Sequence, residues 1–177
     1  EVGLGGRLDA TNIITPVLSI ITNIGLDHTQ FLGKTHQKIA LEKAGIIKNG
    51  VPVIIGEKDI KTESIFKDVS RKSNAPLYFA KKSTKNFTSD LKGFYQAKNI
   101  KTVITALNQL PDFNLNNSVI KKGLSRVVEN TGLKGRWQVL QNSPKVILDV
   151  GHNKEALRLI AKQINEISYN ELYLVMG

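Results

Sequence analysis

Three short, unbroken apolar runs dominate the first half of the chain: "PVLSIITNIG" at residues 16–25, "VPVIIG" at 51–56 and "APLYFA" at 75–80. A strand without polar alternation has no face fit for water, so it must be covered on both sides. That is the pattern of parallel strands beneath helices. The segments between them read as helices. In "THQKIALEKAGIIK" Thr35 is a candidate N-cap, Ile39, Ala40 and Lys43 share one face, and Gly45 lies near the end. Residues 59–73 read as the next helix. Strand and helix therefore alternate, which predicts an α/β fold with a mostly parallel sheet flanked by helices.

Residues 81–92 are polar and loop-like. "GFYQAKNIKTVITALNQL" and "SVIKKGLSRVVENT" read as helices, the second starting from an Asn117 or Ser118 cap. "TGLKGRWQVL" breaks this pattern. It is followed by two short strands, "RWQVLQ" and "KVILDV", a helix at 154–167 and a final strand in "ELYLVMG". We place a junction at 133–135, where a helical run ends in glycines, with one domain at 1–133 and the start of a second α/β domain at 134–177. The first residue is Glu1 and the last apolar run resembles the beginning of another strand, so the chain reads as an internal piece of a longer protein.

The absence of cysteine excludes disulfide frameworks and cysteine metal sites and fits a reducing, cytoplasmic setting. The apolar run at 17–24 is too short to span a bilayer, so no membrane role is expected. The net charge of +10 invites a nucleic-acid reading. The lysines are scattered, however, without interleaved aromatics, and suit a solvated surface or small anionic ligands better than a polynucleotide.

Two familiar phosphate motifs fail. In "EVGLGGRLDATN" the third glycine of G-x-G-x-x-G would fall on Leu8, and for "GKT" at 33–35 the leading Walker A glycine would fall on His28. The three histidines, His28, His36 and His152, form no zinc-type pair, and His36 reads as structural. His28 does stand just past a buried strand's carboxyl end, the rim where open α/β sheets bind ligands. Glu1 precedes a glycine-rich turn, and Lys43 lies on the following helix. From pattern alone these three are equally a chain end, a loop histidine and a solvated charge.

Four blocks in order, "EVGLGGRLDATN", "ITNIGLDHTQFLGKTHQKIALEKAGIIK", "LKGRWQ" and "LDVGHN", resemble the folylpolyglutamate synthase/dihydrofolate synthase family of the Mur ligase superfamily. The resemblance touches nearly the whole chain. It implies the later part of a central ATPase domain followed by the beginning of a C-terminal ligase domain. It also implies an ATP-dependent ligase that joins L-glutamate to folates or dihydropteroate through an acyl phosphate. The expected partners are ATP, folate or dihydropteroate and L-glutamate, and the expected state is a monomer. A cell-wall Mur ligase is the sibling alternative, and a basic nucleic-acid module the alternative of another class.

By matching position, Glu1 and His28 resemble the family's magnesium ligands. Lys43 resembles the lysine that the family carbamylates, which would make a carboxylate on a long arm for one of two magnesium sites. Arg7 and Leu8 fall in the segment that lines the pterin pocket. Asn99, Arg136 and Asp149 match nucleotide contacts, and His152 is expected near the phosphates, with a catalytic part. Asn153 reads equally as a helix cap, and Trp137 as a buried structural residue. The departure "DVGHN", where "DGAHN" is common, keeps Asp149, His152 and Asn153. The family's phosphate loop is not among these residues, so the 177 residues alone are expected to lack ligase activity.

Overall fold

The computed structural model describes residues 1–81, 86–110, 112–113 and 115–176. A parallel three-stranded sheet runs in the order β1 (Ser19–Ile21), β2 (Val53–Ile55), β3 (Leu77–Phe79). Ser19 pairs with Val53, and Val53 with Leu77. The helices between them are α1 (Thr29–Leu32), α2 (His36–Ala44) and α3 (Glu63–Lys72). β2 is buried on both faces, with Val53, Ile54 and Ile55 at most 1% exposed, as its unbroken apolar run requires. Its odd positions, Val53 and Ile55, share a core with Ala40 and Ala44 of α2 and Phe66 of α3. Ile54 projects the other way, by the strand's period of two, and α4 (Gln96–Leu107) also contacts β2.

Local chemistry explains where the helices begin. The Thr35 side chain accepts from the Lys38 amide at 3.2 Å, so the expected N-cap of α2 forms. Ile39, Ala40 and Ala44 turn inward, while Lys43 on the adjoining stripe stays half-buried. Gly56 lets the chain leave β2 close to its neighbours: a Cβ there would lie 2.4 Å from the Thr22 carbonyl and 2.5 Å from Thr102 Oγ1.

Several expectations are corrected. The first apolar run yields only the three residues of β1, which is an edge strand among the described residues, with Ile20 41% exposed. "SVIKKGLSRVVENT" makes two helices, α5 (Asn117–Leu124) and α6 (Val127–Thr131), and the α5 cap is Asn116, whose side chain accepts from Val119. Arg126 interrupts the run with ψ 34, outside the helical range. The two short strands expected after the junction do form, as β4 (Gln138–Asn142) and β5 (Lys145–Leu148), and pair with each other in an antiparallel hairpin. α7 (Lys154–Ile164) is shorter than the pattern suggested. Among the described residues the final run makes no strand, and Val175 is 97% exposed. The described part of the 81–92 segment is irregular as expected, and residues 82–85 of that reading fall outside the described ones. Among the described residues no helix is long and apolar enough to cross a membrane.

Candidate active site

Beyond the carboxyl end of β1, the chain turns through Gly25 to His28 and into α1. His28 has φ 47 and ψ 39, a left-handed conformation that costs a non-glycine residue of the order of 1 kcal/mol or more. Asp27 helps to hold it there, because its Oδ1 accepts from the His28 amide at 2.8 Å. The same carboxylate gathers the rest of the cluster. Asn153 Nδ2 donates to Asp27 Oδ2 at 3.2 Å, bridging 126 residues of sequence. The imidazoles of His28 and His152 lie 3.8 and 4.0 Å from the Asp27 oxygens. Burial opposes ionisation of Asp27, but the Asn153 amide and the His28 N–H outweigh it and hold its carboxyl below the usual range.

Lys43 reaches the same neighbourhood from α2. Burial pushes its ammonium pKa down, and the nearby Asp27 charge opposes that shift only in part. Among the described residues no salt bridge holds Lys43, because Glu42, the acid beside it in sequence, pairs with Arg7 at 3.0 Å. The structure thus brings His28, Lys43 and His152 around Asp27.

A second cluster forms where α4 begins and β5 ends. Asp149 accepts three hydrogen bonds: from Tyr95 Oη at 2.8 Å, the Trp137 amide at 2.7 Å and the Gly151 amide at 2.8 Å. Trp137 has φ 51, a second strained left-handed residue, and is only 6% exposed, so its indole is structural as expected. Arg136 is close enough to Tyr95 to favour its ionised form, although burial and Asp149 together raise the phenol's pKa strongly. Asn99, one turn into α4, donates to the buried Gln96 side chain at 2.9 Å. Asn99, Arg136 and Asp149 therefore belong to one region.

The glycine-rich N-terminal segment docks onto α2. The Arg7 amide donates to the Glu42 carbonyl at 2.8 Å, while its guanidinium grips the Glu42 carboxylate at 3.0–3.3 Å. Gly6, at φ 158, admits no side chain: a Cβ would lie 2.9 Å from the Glu42 carbonyl. Arg7 is thus engaged in holding the segment, whereas Leu8 is 81% exposed. Asp9 caps the following short turn, Ala10–Ile13, and hydrogen bonds from Thr11, Leu4 and Gly3 lower its pKa to about 2. Glu1 is exposed, and no contact among the described residues ties it to His28 or Lys43.

Sequence reasoning missed Asp27, Tyr95, Gln96 and Glu155. Asp27 adjoins His28 on the same strand-end rim, so the rule that found the histidine applied to it as well. Glu155, in the first turn of α7, lies 3.6 Å from where a Gly25 side chain would begin, and its Oε2 is buried without a hydrogen-bond partner. Only the fold could place that oxygen beside residue 25.

These donors fit a hard divalent cation. Asp27 and Glu155 are carboxylates, and one has an orphaned oxygen. Magnesium keeps several waters and phosphate oxygens, so it asks for one or two protein ligands rather than a cage. Among the described residues no group of three or more His, Asp or Glu is placed to hold a metal ion. An apolar groove of about 390 Å³, lined by Pro16, Val51, Leu110 and Phe113 among others, opens at the opposite ends of the strands and shares no residue with either cluster.

No protein-family profile matches the chain. Individual proteins do. It is 38% identical over 187 residues to a dihydrofolate synthase/folylpolyglutamate synthase of Buchnera aphidicola from Schizaphis graminum, covering 100% of this chain and 45% of that one. E. coli FolC in complex with DHPP and ADP superposes with a TM-score of 0.80 at 31% identity, over 97% of this chain and 43% of the other. A bifunctional folylpolyglutamate synthase/dihydrofolate synthase from Yersinia pestis, complexed with AMPPNP and Mn, gives 0.77 at 33% over 94% and 42%. A bifunctional enzyme of the same description, matching equally well, has Mn, AMPPNP and L-glutamate bound. The chain spans less than half the length of these relatives. Along its whole sequence and over nearly its whole fold, the chain is similar to part of the dihydrofolate synthase/folylpolyglutamate synthases.

Proposed function

We propose that this protein is an ATP-dependent ligase that joins L-glutamate to dihydropteroate, to folates, or to both. The observation that carries the reading is the meeting of His28, Lys43 and His152 around Asp27, next to the Asp149 cluster, in a chain whose relatives bear those names. We take residues 1–133 as the later part of an ATP-binding domain and 134–177 as the start of the ligase domain, working as a cytoplasmic monomer.

In the proposed reaction the γ-phosphoryl group of ATP passes to a substrate carboxylate, giving an acyl phosphate and ADP. The glutamate nitrogen attacks the acyl carbon, and phosphate departs with the electron pair of the broken C–O bond. A nitrogen-bound proton is lost, leaving the amide. Catalysis here consists of positioning three anionic reactants and offsetting charge as it develops. Arg136 supplies a fork of donors for phosphate oxygens. Asp149 and Asn99 hold the nucleotide, and His152, 76% exposed on its turn, faces the phosphates. Leu8 and Arg7 border the pterin. Glu1, His28 and Lys43 are the proposed metal-side ligands. Magnesium, when bound, would neutralise the phosphate charge.

Lys43 has a lowered pKa, so more of its amine is neutral and able to capture carbon dioxide. We read it as carbamylated. In the full-length protein Lys43→Ala should abolish turnover of dihydropteroate or tetrahydrofolate with glutamate, with partial rescue by small carboxylates. Lys43→Arg should not rescue, because guanidinium stays charged. Turnover near the parent level in Lys43→Ala removes the lysine from the mechanism, and turnover of UDP-muramyl substrates instead points to the Mur branch.

A further inference from the structure

We propose that Tyr95 is a positioning residue for the nucleotide: its hydroxyl aims the Asp149 carboxylate and decides which oxygen lone pair is left for the ligand. The inference rests on the nucleotide-binding reading of Asp149 and goes beyond it by naming the group that orients the acid and the ligand atoms the acid can accept.

A carboxylate offers about four lone-pair sites and no proton. In Asp149 three of these are taken. Oδ2 accepts from both Tyr95 Oη and the Trp137 amide, and Oδ1 accepts from the Gly151 amide. The open site is therefore on Oδ1. The two backbone donors lie within 12 residues of Asp149 along the chain, and they come with the hairpin and the turn themselves. Tyr95 is 54 residues away and is the only donor of the three supplied by α4's side of the site. Without it the carboxylate would be held only by its own neighbourhood.

The tyrosine is itself held from behind. Its ring lies against Gly93, where an added Cβ would stand 2.6 Å from Cε1 and Cζ. The residues on either side of that glycine are clamped to α7 by one buried amide. Gln163 Oε1 accepts from the Phe94 N–H at 2.8 Å, and Gln163 Nε2 donates to the Lys92 carbonyl at 2.8 Å. A free-standing surface tyrosine would have neither support. Because Asp149 can only accept, it cannot face phosphate oxygens. Its ligand must bring a donor, which in a nucleotide is a sugar hydroxyl or the adenine amino group.

The test uses the full-length protein with ADP, followed by calorimetry, and needs no turnover. Tyr95→Phe keeps the ring and deletes the hydroxyl. Gly93→Ala keeps the hydroxyl and displaces the ring. Both are expected to weaken ADP binding by roughly 3- to 10-fold, the range of one ordinary hydrogen bond, since the hydroxyl acts on the ligand only through Asp149. In steady state the KM for ATP should rise while kcat and the KM for glutamate hold. Parent protein should discriminate against 2′- or 3′-deoxy-ADP, or against IDP, and Tyr95→Phe should lose part of that discrimination. ADP binding unchanged in Tyr95→Phe overturns the inference and leaves the ligase reading intact. The same holds if Gly93→Ala alone weakens binding, or if Tyr95→Phe lowers thermal stability with no change in ADP affinity. Failure of the parent to bind ADP overturns both.

Discussion

Gly45→Ala isolates a steric constraint from every other effect of a glycine. Gly45 follows α2 with φ −62 and ψ −12, a conformation that alanine adopts freely, so backbone strain plays no part. By propensity alone the change should help, by up to about 1 kcal/mol. The structure predicts the reverse. A Cβ at this position would lie 2.4 Å from Arg7 Cβ, 2.5 Å from its Cα and 2.9 Å from its amide nitrogen. Backbone cannot rotate away as a side-chain tip can, so either α2 and the N-terminal segment strain apart or the segment lifts off.

The two outcomes bound the cost. Straining a close contact of this kind costs about 1–3 kcal/mol. Lifting the segment forfeits the hydrogen bonds from the Arg7 amide to the Glu42 carbonyl, from Asn12 to the Gly45 carbonyl and from Lys48 to the Asn12 carbonyl. At about 1 kcal/mol each these come to roughly 3 kcal/mol. The Arg7–Glu42 ion pair adds little, since the arginine is 56% exposed. A cost of about 2–3 kcal/mol, between these routes, less part of the propensity gain, leaves a net loss of about 2 kcal/mol. For a chain of 177 residues that is a melting temperature lower by about 4–8 °C. Thermal and urea unfolding would be compared with Gly123→Ala, in α5, where no atom lies within 4 Å of the added carbon and stability should rise by about 0.5–1 kcal/mol. If Gly45→Ala equals or exceeds the parent in stability, the docking of the N-terminal segment on α2 is wrong.

Three further variants probe other contacts of the fold. Asp9→Asn should destabilise the turn at neutral pH. Because the folded carboxyl pKa of about 2 lies below its ordinary 3.8, that contribution is present above 3.8 and lost as pH falls toward 2, so the acid-unfolding curves of parent and variant should converge there. Asn153→Ala removes the cap that accepts from the Ala156 amide and the bond to Asp27, and should cost about 1 kcal/mol or somewhat more by thermal unfolding, whereas Asn153→Ser should recover the cap but not the bond. Phe66→Ala, at a residue with no exposed surface, should cost about 3–5 kcal/mol in urea unfolding, and a smaller loss would mean that the α3 interface collapses easily.

How much of this was legible in the sequence depended on distance along the chain. β2 was readable because an unbroken "VII" has only one stable environment, and the α2 cap because Thr35 acts on an amide three residues away. The break at Arg126 and the shortness of β1 were not readable, since propensity favours continuation in both places and packing ends them. The same holds for the clusters. His28, Lys43, Asn99, Arg136, Asp149 and His152 were named, and the structure groups them in two neighbouring regions. Their partners were invisible: Asp27 meets Asn153 across 126 residues, Tyr95 meets Asp149 across 54, and the Glu155 oxygen lies buried beside Gly25. No local periodicity encodes such pairings.

The five residues 149–153 explain why the two clusters stand side by side. Asp149 folds back on Gly151 through its Oδ1, a short Asx-type turn that fixes the backbone before α7. A Cβ on Gly151 would lie 2.7 Å from Ile160 Cδ1 and 3.1 Å from Asp149 Oδ1, so the turn is pressed tightly against the helix it starts. From this fixed piece Asp149 reaches Tyr95, while His152 and Asn153 reach Asp27, beside His28 and Lys43. One turn therefore links the start of α4 with the rim beyond β1. Moving α7 relative to the sheet would disturb both clusters together, and for that reason the Tyr95, Gln163 and Asn153 contacts act as one joint. The variants Tyr95→Phe and Asn153→Ala share it: their stability losses should be less than additive if the joint opens as a unit, and additive if each bond is independent.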